Sequence, residues 1–146
     1  MNFSDNEGKQ MQAFYTVGHS TRSISELVTL LRAGDVEHVV DVRHMPRSRI
    51  NPQFNREQLP DSLAPFGISY SHSEALAGLR NRSKTVEDEV NSNWRNRSFH
   101  NYADYALSAG FREGLDELVS IGQQKVCAVM CAEAVWWRCH RRIIAD

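Results

Sequence analysis

The chain has 146 residues, enough to bury one hydrophobic core but hardly two, which indicates a single domain. Hydrophobic residues make up 41% and charged residues 24%, as in an ordinary soluble globular protein, and no apolar run approaches the roughly 20 residues of a membrane-spanning helix. A formal net charge of -1 argues against a globally basic nucleic-acid-binding protein, although fourteen arginines against three lysines allow local anion-binding patches.

The polar start "MNFSDNEGKQMQ" lacks the apolar core of a signal peptide, which favours a cytoplasmic location. Three cysteines, Cys127, Cys131 and Cys139, fit no disulfide framework and agree with reduced thiols in that compartment. We expect residues 1–13 to form a disordered or extended segment and residues 14–146 to form a single α/β domain.

The domain begins with a pattern that predicts a βαβ unit. "FYTVGHS" is typical of a strand stopped at Gly18, and "VEHVVDV" is typical of a second strand that ends at residues 41–43. Between them, Ser23 and Glu26 predict a capping box at a helix start, and Gly34 ends the helix. The predicted apolar face of this helix comprises Ile24, Leu27, Leu30 and Leu31. Two strands joined by a helix in this way are expected to be parallel, with a right-handed crossover.

The middle of the chain is predicted to be rich in loops. "HMPRSRINPQFN" predicts a long basic loop over residues 44–55, because two prolines interrupt it. A short helix is expected around residues 58–66 with Pro60 in its first turn, and "GISYSH" predicts a third strand. Residues 76–99 show little pattern and are predicted to be a mobile loop, with one helical turn in "TVEDEV".

The last part of the chain predicts two helices, a strand and a final helix. "YADYALSA" and "FREGLDELVSIG" have helical periodicity, and the predicted apolar face of the second comprises Phe111, Leu115, Leu118 and Val119. "KVCAVMC" is a continuous apolar run, typical of a parallel strand covered on both faces, and "RCHRRIIAD" predicts a helix that starts near Arg138. We therefore predict an α/β fold, a three-layer sandwich with a mostly parallel sheet flanked by helices.

Polar residues follow each predicted strand. In open parallel sheets, ligands lie beyond the carboxyl ends of the strands, because the loops that leave the strands all begin there. The residues at these ends are His19, Ser20, Thr21 and Arg22, then Asp41 and Arg43, then His72, Ser73 and Glu74, and last Cys131 and Glu133. We expect them to meet at one edge of the sheet, where the start of the final helix would also favour an anion.

The cysteine after the last strand allows several interpretations. Cys131 lies near a predicted helix start, a setting that lowers the pKa of a thiol and makes it a nucleophile, although such a cysteine also fits an inert core. A phosphatase-like anion loop is disfavoured, because six residues separate Cys131 from Arg138 and they include two tryptophans. A metal held by His19, Cys131, Cys139 and His140 is disfavoured, because their spacing matches no standard zinc motif.

Acid–base chemistry is the other interpretation of these strand ends. Glu133 near His19 could transfer protons. Asp41 could orient a base, or it could pair with Arg43, which lies two residues further and therefore on the same face of the strand.

Five motifs of the chain resemble those of one known family: "YTVGHSTR", "VVDVRHMPRS", "GLR", "SFHNYADY" and "MCAEAVWWRCHRRIIAD". Over the span from Tyr15 to the last residue, the chain resembles domain-of-unknown-function family 488, small α/β domains that have generally lacked an assigned activity. The resemblance implies that the family's polar positions are site residues here, namely His19, Ser20, Arg22, Asp41, Arg43, Pro46, Ser48, Asn101, Tyr102, Cys131, Glu133, Cys139, His140 and Arg141.

The chain departs from the family pattern at two places. The family's "LGG" is "LAG" here, over residues 76–78. Similar members continue past the last helix into another turn and strand, whereas this chain stops at Asp146. A sheet without its last edge strand would leave that edge unpaired, so we expect disordered or trimmed residues, a shortened family member, or an edge that a partner subunit covers, as in a homodimer.

The leading hypothesis is a small cytoplasmic enzyme that binds an anionic, phosphorylated or nucleotide-like ligand at the carboxyl edge of the sheet. Its candidate catalytic residues are Cys131, Glu133, His19 and Asp41. Its candidate ligand-binding residues are Ser20, Arg22, Arg43, Ser48, Asn101, Tyr102, Cys139, His140 and Arg141. In this hypothesis Arg43 and Arg141 hold the anion, His19 and Glu133 handle protons, and Cys131 is the nucleophile or a polarisable contact.

The alternative hypothesis is a non-catalytic module that binds a nucleotide or nucleic acid. It is supported by the basic loop "RHMPRSR" and by the adjacent aromatic rings of Trp136 and Trp137, on which bases could stack. Neither hypothesis includes a metal or a membrane partner, and the sequence identifies no cofactor.

Overall fold

One parallel sheet organises the protein. The computed structural model describes residues 14–44, 46, 47, 49–77, 97–133 and 144. Within them, four strands pair in the order β1-β4-β2-β3, and each neighbouring pair is parallel. The strands are β1 (Phe14–Gly18), β2 (His38–Asp41), β3 (Ser69–His72) and β4 (Cys127–Cys131). The prediction of an α/β fold with a parallel sheet, whose strand ends share one edge, is confirmed.

The first helix, α1 (Ile24–Ala33), begins as the sequence predicts. The Ser23 hydroxyl accepts from the Glu26 backbone N–H at 3.1 Å, and the Glu26 carboxylate accepts from the Ser23 N–H at 2.8 Å. The prediction for Leu30 was wrong, because this side chain is 43% exposed whereas Val28 is buried. At about 100° per residue, the buried stripe is centred near Leu31, and Leu30 projects to its flank.

The remaining helices follow β2 and β3. After β2 come a 3-10 turn (Pro52–Phe54), the short helix α2 (Leu59–Leu63) and a second 3-10 turn (Ala64–Phe66). After β3 come α3 (Arg97–Tyr105) and α4 (Ala109–Gly122), the latter capped by the Ser108 hydroxyl. None of the helices in the described ranges combines the length and apolar character that a membrane crossing requires.

Helices cover both faces of the sheet. The cluster on the first face holds side chains of α1, α2 and Phe54 against Val39 and Met130. The cluster on the second face holds side chains of α3 and α4 against Val40 and Cys131. Because adjacent residues of one strand point to opposite faces, this division gives the predicted three layers with the sheet in the middle.

Four other predictions need correction or fall outside the described residues. Residues 44–55 are not an irregular loop throughout, because the turn at Pro52–Phe54 buries an aromatic side chain. Helix α3 begins at Arg97, inside the predicted mobile loop, and Val119 is 37% exposed rather than part of the buried face of α4. The rest of that loop, residues 78–96, and the start of the predicted final helix at Arg138 lie outside the described residues.

Candidate functional site

The turn after β1 places a histidine at the carboxyl edge of the sheet. The backbone N–H of His19 donates to the carbonyl of Cys131 at 2.9 Å, and that of Ser20 donates to the carbonyl of Ala132 at 2.9 Å. These bonds continue the β1–β4 pairing, and Ser20 then turns the chain with φ 47°, in the left-handed region. The imidazole of His19 is 4% exposed and stacks on the ring of Phe54, with 4.4 Å between centroids.

A buried ion pair lies next to this imidazole. Nε of Arg43 donates to both carboxylate oxygens of Asp41, at 2.9 and 3.1 Å, and Nη2 donates to Oδ2 at 2.6 Å. Nη2 also donates to the Phe54 carbonyl at 2.7 Å, and Nη1 lies 3.2 Å from Nε2 of His19. The predicted pairing of Asp41 with Arg43 is present, and it connects the ends of β1 and β2 through His19.

A tyrosine from β3 completes the cluster. The hydroxyl of Tyr70 donates to Oδ2 of Asp41 at 2.5 Å. Burial, together with the neighbouring carboxylate, raises the pKa of Tyr70 well above its ordinary value, so this hydroxyl remains protonated. We call His19, Asp41, Arg43 and Tyr70 the edge cluster.

The hydrogen bonds of the edge cluster fix the state of its histidine. A guanidinium can only donate, so Nε2 of His19 must accept from Arg43, and Nδ1–H donates to the Ser20 carbonyl at 2.8 Å. Burial lowers the pKa of His19, which favours the same neutral ring. The structure therefore holds a neutral imidazole with the proton on Nδ1.

The guanidinium of Arg43 remains charged and is almost fully occupied. Burial alone would lower the pKa of Arg43, but the hydrogen bond and the charge of Asp41 raise it. Its Nε–H, both Nη2–H groups and one Nη1–H bind within the cluster or to the Phe54 carbonyl. Its contacts with other described residues leave one N–H for a ligand, so Arg43 orients His19 more than it could hold an anion.

The loop after β2 builds the support for the cluster, which sequence reasoning missed. Phe54 contributes both its ring and its carbonyl, and the side-chain amide of Gln53 donates to the Arg22 carbonyl at 2.9 Å. Tyr70 was also missed, although the alternation of "SYSH" separates it from its serine neighbours and puts it on the face opposite theirs. Phe54, in a polar proline-containing segment, gave no comparable signal.

The other predicted site residues take separate positions. The side chain of Cys131 packs in the cluster on the second face, near Tyr102, whereas His19 stacks on Phe54 of the first face. Cys131 is thus at the same edge as His19 but on the other face of the sheet. Its Sγ lies 3.8 Å from the backbone carbonyl of Glu133. Glu133 is exposed and follows the end of β4 after one intervening residue, Ala132.

Some of the remaining predicted site residues belong to the described part of the chain, and others do not. Tyr102 donates from its hydroxyl to the Leu76 carbonyl at 2.6 Å, which attaches α3 to the end of β3, and Asn101 precedes it on that helix. Arg22 donates from Nε to the Gly18 carbonyl at 3.2 Å. The predicted residues Ser48, Cys139, His140 and Arg141 lie outside the described residues. In the described ranges, no group of three or more His, Cys, Asp or Glu side chains is arranged to hold a metal ion.

The buried imidazole predicts a pH dependence of stability. Because the pKa of His19 is lowered in the folded state, the unfolded chain takes up the proton first as the pH falls. The free energy of unfolding should therefore decrease as the pH falls below about 6.5, the ordinary histidine value. Urea unfolding across this range should show a weaker pH dependence for His19→Gln than for the wild type. An unchanged dependence would mean that His19 titrates normally in the folded protein.

Comparison with known proteins gives a match to one protein family. No curated protein and no solved structure is similar enough to the chain to count as a match. The model of one family, described as "Domain of unknown function DUF488", matches residues 23–146, which is most of the chain and includes three of the four members of the edge cluster. The chain belongs to the DUF488 family.

Proposed function

We propose that this protein is a small cytoplasmic enzyme that binds an anionic ligand, phosphorylated or nucleotide-like, at the carboxyl edge of its sheet. The observation that carries the proposal is the edge cluster, a buried ion pair hydrogen-bonded to a histidine of fixed protonation state at the end of parallel strands. This edge is where α/β sheets bind ligands, because the loops that surround a ligand all begin there.

The energetics of the edge cluster support a role beyond folding. A buried ion pair loses much of its attraction to the cost of removing both charges from water, so it is an inefficient way to stabilise a core. Perturbed ionisable groups that share one edge are more typical of functional sites than of ordinary cores. In the proposal, Asp41 and Tyr70 position Arg43, and Arg43 in turn positions His19.

Residues at the rim of the cluster are suited to contact an anion. Arg22 uses Nε for the Gly18 carbonyl, its two terminal nitrogens make no hydrogen bond to another described residue, and its side chain is half-buried. Ser20, two residues before Arg22 in the chain, is also half-buried and carries a hydroxyl. A guanidinium with a hydroxyl next to it is a common way to bind a phosphate or carboxylate group. Ser20 and Arg22 are therefore proposed as ligand contacts.

Titration calorimetry with AMP and with inorganic phosphate tests the binding proposal. We expect the wild type to bind at least one probe and Arg22→Gln to bind it about tenfold more weakly, the cost of one charge-assisted hydrogen bond. The matched control is Arg32→Gln, because Arg32 is an exposed arginine in the last turn of α1, at the far end of the helix that Arg22 precedes. Equal losses in both variants, or no binding to the wild type, would contradict a defined anion site.

Product analysis of the same mixtures distinguishes the enzyme from a binding module. Cys131 lies at the same edge of the sheet, although its thiol packs on the second face, and it is proposed as the nucleophile. We expect Cys131→Ser to abolish product formation while Cys127→Ser, at the far end of the same strand, does not. Binding without a product would favour the alternative of a non-catalytic nucleotide or nucleic-acid module. A steep loss of single-stranded DNA affinity with rising salt would identify the nucleic-acid form of that alternative.

A further inference from the structure

A second polar cluster lies on the second face of the sheet, and its centre is His38. The imidazole of His38 is 8% exposed, and both ring nitrogens meet serine hydroxyls of the neighbouring strand β3. Nδ1 is 2.6 Å from Oγ of Ser69, and Nε2 is 2.8 Å from Oγ of Ser71. The edge cluster uses none of these side chains.

The partners of Ser69 determine which nitrogen of His38 carries the proton. Oγ of Ser69 lies 3.2 Å from the Glu37 carbonyl, to which it donates, and it accepts from Nζ of Lys125 at 3.2 Å. Since its single hydrogen goes to the carbonyl, Oγ of Ser69 accepts from Nδ1–H of His38. Nε2 then carries a lone pair and accepts the hydroxyl hydrogen of Ser71. This is the arrangement in which a histidine can take a proton from a serine nucleophile.

A cavity gives access to this serine. It has a volume of about 160 Å³ and lies between the sheet and α4, lined among others by His38, Ser71, Ser73, Glu117 and Leu118. One water molecule occupies about 30 Å³ in the liquid, so the cavity has room for a short acyl group. Burial lowers the pKa of His38, with the charge of Lys125 as a smaller cause, so the ring is neutral and able to accept a proton at physiological pH.

The backbone supplies a hydrogen-bond donor next to the serine. The N–H groups of Ser69 and Ser73 donate to the Glu37 and Asp41 carbonyls, at 2.9 Å each. Successive backbone N–H groups of a strand point alternately to its two sides. Since those of Ser69 and Ser73 point toward β2, the N–H of His72 points away from β2, to the side of β3 where no strand among the described residues pairs with it. An N–H directly after a nucleophile is a common donor to the oxyanion that forms during acyl transfer.

We propose that Ser71 is a second nucleophilic centre, distinct from the edge cluster, which takes short acyl groups from esters with His38 as its general base. Oγ of Ser71 attacks the ester carbonyl carbon while its proton passes to Nε2 of His38. The ester C–O bond then breaks, and the leaving alcohol takes the proton from His38, which leaves an acyl-Ser71 ester. Water adds by the same route, with its proton passing through His38, and the carboxylic acid is released.

Acetylation by p-nitrophenyl acetate tests this proposal on the full chain. We expect release of p-nitrophenol and peptide-resolved mass spectrometry to show acetyl-Ser71 in the wild type, and Ser71→Ala to lose both. His38→Gln should slow the acetylation by about 10²–10⁴-fold, the usual contribution of a general base. Ser62→Ala is the matched control, because Ser62 belongs to α2 on the first face and should not change the rate.

Two further results keep the test decisive if the alanine variant folds poorly. Ser71→Cys retains a nucleophile at the same position, so it should be acetylated there while circular dichroism remains that of the wild type. Acetyl groups found only on lysine side chains, at a rate that Ser71→Ala leaves unchanged, would overturn the proposal. Because the edge cluster is on the other face, neither result bears on AMP or phosphate binding.

Discussion

Replacing Asp41 with alanine should destabilise the protein by about 3–5 kcal/mol, because it leaves the buried charge of Arg43 without its partner. The carboxylate accepts from the side chain and the backbone N–H of Arg43 and from the hydroxyl of Tyr70, and it is fully buried. Urea unfolding followed by circular dichroism gives the free energy directly. The same change should release His19 from its fixed orientation, since Arg43 would lose its support.

The control for this variant is an ion pair of the same chemistry at the surface. Arg47 and Glu57 lie 3.4 Å apart and are both largely exposed, so Glu57→Ala should leave the unfolding midpoint nearly unchanged. The double variant Asp41→Ala/Arg43→Met should be more stable than Asp41→Ala alone, because it removes the unpaired charge. A loss in Asp41→Ala no larger than in Glu57→Ala would show that the buried pair contributes little.

The second large effect is expected at Phe54. Its side chain is fully buried in the cluster of the first face, and truncating a buried aromatic ring to alanine costs about 3–5 kcal/mol. Phe54 also differs from other core residues because its ring stacks on His19. Phe54→Ala should therefore lower the free energy of unfolding and also expose the imidazole.

Two measurements separate these effects of Phe54→Ala. Urea unfolding gives the stability, and the rate of modification by diethyl pyrocarbonate, read at the His19 peptide, reports the accessibility of the ring. Phe66→Ala is the matched control, because Phe66 is 45% exposed and the ring that stacks on His19 is that of Phe54. If Phe54→Ala left His19 as protected as in the wild type, the stack would not be what shields the imidazole.

The local signals of the sequence were enough to predict most of the fold. A capping box, turn glycines and apolar runs act over a few residues, so the starts of α1 and of the strands could be predicted. Leu30 and Val119 were placed wrongly, because the exact position of a buried stripe depends on the neighbouring elements and not on helical periodicity alone. The start of α3 at Arg97 was missed because its first turn has no apolar pattern.

The candidate site could be predicted in outline, for a geometric reason. Parallel strands bring their carboxyl ends to one edge, so His19, Asp41 and Arg43 could be grouped without knowing the strand order. The face of the sheet on which each of these side chains lies could not be predicted in the same way. The alternation of side chains between the two faces relates residues of one strand, but it does not relate the end of β1 to the end of β4. The sequence therefore did not predict that Cys131 and His19 lie on opposite faces of the sheet.

The two covered faces of the sheet have a consequence for where a substrate would lie. The chain leaves β2 toward the helices of the first face, and it leaves the neighbouring strand β3 toward those of the second face. Adjacent strands whose exits diverge in this way open a crevice between them, which is the preferred ligand position in doubly wound sheets. Here its base is the contact between Nε2 of His72 and the Arg43 carbonyl, 2.6 Å apart. A molecule bound at this point would contact the loops that lead to the helices of both faces.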